Sequence, residues 1–172
     1  GAVLALTSQA LTGGVTLEAQ LAPYTPRLGG RLGLKLSATA TGLRRLPVSA
    51  TFDGTIQGAA DFTRLSMMLA PRYRLRGERP LVEVHAGVAV AAVLVEGNGF
   101  VANYRSRAAD AGLGFGLRVG RALPRLSLWA ELGFVGWLRP QEIALSGMAA
   151  STRLPAWDIL MSAGLGFGRF RP

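Results

Sequence analysis

Three features of this sequence have residue types suited to chemistry. His85 is the only histidine of the chain and stands two positions after Glu83, so the two side chains share a face of an extended segment, where a general acid–base pair would sit. The text GLGFG occurs at 112–116 and again at 164–168, with the glycine content of a phosphate-cradling loop. Singly spaced ionisable residues also recur along the chain: Glu18, Arg31, Lys35, Asp53, Arg64, Arg72, Arg74, Glu83, His85, Asp110, Arg118, Glu131, Asp158 and Arg169.

The first two weaken on their contexts. A lone histidine cannot assemble a histidine-based metal site, and with no cysteine there is neither a thiolate site nor a disulfide. His85 is followed by Ala86-Gly87 and no serine, which predicts a polar residue satisfied by its neighbours. Both GLGFG segments lie inside alternating stretches and lead into no helix, so they fail the test of a phosphate loop. No catalytic residue, metal site or cofactor is expected. The charged residues remain, and their meaning depends on the elements that carry them.

Those elements have a period of two. Aliphatic residues alternate with polar or small ones over 14–22, 28–38, 48–57, 62–75, 81–95, 109–120, 126–138 and 157–169, which predicts eight strands. Residues 1–13 are expected as a tail or the remnant of a signal peptide, with apolar Ala2–Leu6 followed by Ser8-Gln9-Ala10, and 14–170 as one β domain. Hydrophobic residues make up 49% and charged residues only 17%, yet no apolar run is long enough for a transmembrane helix. Short turns after the second, fourth and sixth strands oppose two longer loops at 96–108 and 139–156, the alternation of an up-and-down barrel.

Which face points outward follows from the polar face. It carries glycine, serine, alanine and isolated charges with one lysine, a poor solvated surface but a good filling for a narrow barrel, the glycines leaving room for long arginines. The inward set holds seven basic and six acidic residues. Near-balance is required of an enclosed interior, because an unpaired buried ion costs several kcal/mol. The aliphatic faces then point to lipid. A soluble, lipocalin-like ligand-binding barrel is the alternative, with every face inverted.

The net charge of +9 falls mostly at the rims, where Arg44, Arg45, Arg76, Arg79, Arg121, Arg125 and Arg171 are expected at the turn end, facing lipid headgroups. Without a stacking platform or a recognised motif they do not predict nucleic-acid binding. Tyr24, Tyr73, Trp137, Trp157 and Phe170 fall near strand ends, as aromatics of a membrane interface do.

This pattern resembles the small eight-stranded outer-membrane barrels, the group of the OmpA membrane domain and OmpX. The final strand, LMSAGLGFGRF, resembles the C-terminal signal read by the barrel-assembly machinery, departing from it in the trailing Arg171-Pro172. The resemblance implies the outer membrane of a Gram-negative bacterium, with membrane lipids and the assembly machinery as partners. It also implies a non-enzymatic structural or surface-interaction role through loops 96–108 and 139–156. A lipid A-modifying enzyme is the alternative within that group, for which His85 lacks the serine two residues on.

Overall fold

A computed structural model describes residues 2–6, 11–21, 31–51, 55–76, 80–98, 105–123, 126–139, 142–144 and 151–167. The described residues form strands and no helix: β1 (Ala2–Leu6), β2 (Leu11–Leu21), β3 (Leu32–Thr41), β4 (Arg44–Thr51), β5 (Thr55–Arg76), β6 (Leu81–Asn98), β7 (Arg105–Ala122), β8 (Leu126–Trp137), β9 (Glu142–Ala144), β10 (Ser151–Arg153) and β11 (Trp157–Phe167). Antiparallel pairing runs β1–β2–β3–β5–β6–β7–β8–β11 and returns to β1. β4 continues β3 along the same edge of β5. The result is a barrel of eight positions, nearly closed, with the short β1 as its seam.

The number eight matches the sequence expectation, but its members differ at the N-terminal side. Residues 2–6, expected as tail, form β1, with Ala2 opposite both Val15 and Ala163. An apolar pentapeptide carries no alternation to read, yet without it β2 and β11 would each keep an unpaired edge. The expected third strand, 48–57, is the two arms of a hairpin, since Thr51 pairs with Thr55; its tip, including Asp53, lies outside the described residues. The expected turn at 39–47 is a bulge. Ala40 pairs with Leu65 and Arg44 with Phe62, so residues 41–43 face only 63 and 64. One extra residue flips the side chains that follow: Lys35 and Ser37 point inward at odd positions, Arg44 and Leu46 at even ones. Arg44 and Arg45 therefore sit toward the end opposite the chain termini, away from the rim where the sequence put them.

Elsewhere the alternation holds. Leu113, Phe115, Leu117 and Val119 of β7 are exposed while Arg118 is buried, and β5, β6, β8 and β11 repeat the pattern. Inward glycines make room as expected, though mostly for side chains other than arginine. A Cβ at Gly114 would lie 2.7 Å from the Met68 sulfur and one at Gly116 2.5 Å from the His85 ring; among the described glycines only Gly33 has an arginine as neighbour, the Arg72 Nε at 2.7 Å. Gly87 is tighter still, because its added Cβ would meet the Leu69 carbonyl oxygen and the Ala70 Cα of the adjacent backbone. Gly87→Ala is expected to destabilise by about 1–3 kcal/mol, as overpacking does. Gly13→Ala, which meets nothing within 4 Å, should stay within about 0.5 kcal/mol. Urea unfolding of both variants in one detergent checks the contrast.

At the end away from the termini the wall is uneven. Pairing of β7 with β8 covers Gly112–Ala122, so Arg105–Ala111 rise above β8. With β4, β5 and β6 they form a flap whose inner side is apolar, where Leu46, Phe62 and Val93 are buried. The segment after β8 makes the β9–β10 hairpin and returns across this face, burying Leu154 among those three residues.

Candidate functional site

Inside the barrel the ionisable side chains gather at three levels. Toward the flap, Asp158 of β11 accepts hydrogen bonds from three donors: Arg44 Nη1 at 2.6 Å, Arg64 Nη1 at 2.8 Å and Trp137 Nε1 at 2.8 Å. Arg64 also reaches Asp110 Oδ2 at 3.6 Å and donates to the Pro155 carbonyl at 3.3 Å, which ties the returning loop to the interior. Among the described residues, the Arg44 Nε and Nη2 and the Arg64 Nε have no hydrogen-bond partner. Aromatic faces stand beside them instead, with Arg64 4.6 Å from the Trp137 ring centre and Arg44 5.4 Å from that of Phe62.

At mid-height four residues from four strands form a ring of alternating charge. Lys35 lies 3.3 Å from Glu18 and 2.5 Å from Glu131, and Arg118 pairs with the same two carboxylates, its Nε 2.8 Å from Glu131 Oε2. The Arg118 guanidinium also stacks 4.1 Å from the Trp129 ring centre. His85 joins through Nε2, 3.3 Å from Lys35 Nζ and 3.5 Å from Glu131 Oε1. Its nearest charged partners are thus Glu131 and Lys35 rather than Glu83. Toward the terminal end Glu83 pairs with Arg72 and with Arg74, the latter at 3.2 Å.

Six bases (Lys35, Arg44, Arg64, Arg72, Arg74, Arg118) therefore face five acids (Glu18, Glu83, Asp110, Glu131, Asp158) among the described residues, a difference of one. The near-balance expected from the sequence is kept while its membership changes. Arg31 is exposed at the foot of β3 and leaves the network, because that position lies below the last paired residue of β2. Arg44, placed by the sequence in a turn, enters it through the bulge. Asp53 and Arg169 lie outside the described residues.

Of the expected interface aromatics, Tyr73 and Trp157 lie on the outer wall, where Phe115, Phe134 and Trp157 stack with ring centres 5.2 and 6.3 Å apart. Trp137 does not belong with them. It is buried inside the barrel against Asp158 and Arg64, since its position on β8 has the same parity as the inward Glu131. Trp129 is likewise an interior residue. Tyr24 and Phe170 lie outside the described residues.

Free space in this interior is small. A cavity of about 30 Å³ lies between the upper and middle levels, lined by Thr16, Ser37, Thr39, Ser66 and Ser162 with the edge of His85. It suits a single water bonded to hydroxyls. A base and several serines do meet there, but in a space far below the 300 Å³ or so of a ligand pocket. Among the described residues no group of three or more His, Asp or Glu side chains is placed to hold a metal ion. What the arrangement does is mechanical: pairs separated by about a hundred residues of chain, such as Glu18–Arg118, lock opposite walls together. No family model and no curated protein sequence matches the chain.

Proposed function

We propose that this chain is a non-enzymatic outer-membrane β-barrel of a Gram-negative envelope, acting as a structural or surface-interaction protein with its interior locked shut. The observation that carries it is the inverted distribution of side chains. Leu17 is 75% exposed and Val88 and Leu113 each 58%, whereas Lys35, Arg64 and Asp158 are each 2% exposed. Aliphatic side chains cover the outer wall on every strand from β2 to β11 whose faces are described, except β4. In water such a continuous apolar surface would drive association, whereas acyl chains remove the penalty. Strands β2, β8 and β11, at 11, 12 and 11 residues, have the length needed to cross a bilayer at a tilt.

Membrane lipids and the barrel-assembly machinery are the partners this assignment brings. A surface partner would meet the far-end tip of β6–β7, in the 96–108 region, more readily than the 139–156 loop, whose Leu154 and Pro155 are buried. The occupied lumen argues against an open pore and against entry of a substrate to His85.

Two linked experiments test the proposal. The refolded protein in detergent should migrate differently before and after boiling and should precipitate in plain buffer; a monodisperse, detergent-free monomer would overturn the membrane assignment. In lipid vesicles, Leu117→Arg on the outer wall should cost about 2–4 kcal/mol, while Leu138→Arg, beyond the end of β8, should cost about 0–1 kcal/mol. Equal costs at the two depths would contradict it.

A further inference from the structure

The outer wall near the flap has a feature that a plain lipid-facing surface does not require. Between β2 and β7 lies a shallow hollow of about 760 Å³, open to the outside, whose floor is largely alanine: Ala38, Ala40, Ala92, Ala109 and Ala111. Leu65 adds to its wall. Long side chains cover most of the neighbouring surface, so the alanines leave a recess deep enough for hydrocarbon to lie against backbone.

Basic groups border this recess on the flap side. Arg139 lines it directly. Arg107 stands two residues along β7 from Ala109, on the same outward face and about 7 Å further up the strand. Two other arginines of this region are already engaged, Arg45 with Asp61 at 2.9 Å and Arg105 with Glu96 at 3.0 Å. Among the residues whose side chains are described, no carboxylate is paired with Arg107 or Arg139, and both are exposed. An apolar recess bordered on one side by two exposed guanidiniums is complementary to one kind of molecule.

We infer that this recess is a specific site for a phosphorylated lipid, its acyl chains on the alanine floor and its phosphate held by Arg107 and Arg139. Arginine suits this because its planar fork meets phosphate oxygens two at a time. The inference rests on the membrane assignment but goes beyond it, since a generic lipid wall needs neither the recess nor two guanidiniums at its edge.

The test uses the whole refolded protein in dodecylmaltoside micelles doped with dimyristoyl phosphatidic acid or, in parallel, dimyristoyl phosphatidylcholine, with bound lipid counted by native mass spectrometry. The expected result is one phosphatidic acid retained per barrel, at least tenfold more tightly than phosphatidylcholine. Retention should fall about tenfold or more in the double variant Arg107→Gln/Arg139→Gln and stay unchanged in Arg121→Gln, at the terminal end. Ala92→Leu, which fills the floor without touching charge, should weaken retention several-fold. Equal retention of the two lipids, or a double variant that binds as the parent does, would overturn the site while leaving a heat-modifiable barrel intact. Inorganic phosphate at millimolar concentration displacing the lipid completely would also overturn it, by showing a phosphate site in which the recess plays no part. A protein that stays monodisperse without detergent would remove the membrane assignment and this inference together.

Discussion

Asp158→Ala is expected to lower the unfolding free energy by about 3–5 kcal/mol, the range for breaking a buried ion pair by deleting one partner. The size follows from what is left behind. Asp158 is the shared acceptor of Arg44, Arg64 and Trp137, and neither guanidinium can turn to water, with side chains 0% and 2% exposed. After the substitution, among the described residues, Arg64 keeps only Asp110, at 3.6 Å, and the Pro155 carbonyl, while Arg44 keeps no carboxylate. Urea unfolding in detergent, followed by tryptophan fluorescence, reads the loss. With a slope of about 1–3 kcal/mol per molar urea, the midpoint should fall by about 1–5 M. Arg44→Met provides the internal comparison. It leaves the Asp158 carboxylate with Arg64 and Trp137, so no ion is stranded and the cost should be clearly smaller. A ranking with Arg44→Met the more damaging would show that Asp158 is not the hub of this level.

The contrast between these two residues also shows how far the sequence could be read. Asp158 was legible because β11 alternates without interruption from Trp157 to Phe167, so parity alone assigns its face. Arg44 was not. Its face depends on the one-residue bulge after Ala40, and nothing in the text ATGLRR distinguishes a bulge from a turn, since both favour glycine beside small or polar residues. The same event moved the reversal of the chain past Thr51, which pairs with Thr55, and reversed the direction assigned to the first two expected strands, placing Arg44 and Arg45 toward the wrong rim. Errors of this kind are local in sequence and global in topology, because one residue resets the face of all that follow. Trp137 illustrates a different limit. Its parity was readable, but its type suggested an interfacial belt; the indole instead uses its N–H on a buried carboxylate and its ring on Arg64, which residue type alone does not reveal. β1 was hidden for a third reason, being too short to show a period while its role is fixed by neighbours far along the chain.

Glu131→Ala is the other substitution expected to cost about 3–5 kcal/mol, and it separates a charge lock from mere packing. Lys35, Arg118 and His85 converge on this carboxylate, and its removal leaves Glu18 alone against Lys35 and Arg118. The mid-level ring then carries one uncompensated positive charge in an interior that Lys35, at 2% exposed, cannot leave. Glu131→Gln, which preserves volume and hydrogen-bonding atoms, should recover only part of the loss if charge dominates. Combining it with Lys35→Met restores the balance, because Glu18 and Arg118 remain as a pair, with Arg118 stacked against Trp129. The double variant should therefore be more stable than the sum of the two single losses predicts, by a coupling of about 0.5–3 kcal/mol. Additive losses in that cycle would mean that these side chains fill space without recognising one another's charge. A positive coupling would tie the stability of the barrel to the same paired ions that close its interior. Natural sequences of this architecture would then be free to vary their outward aliphatic residues widely, while the inward charges could change only in compensating pairs.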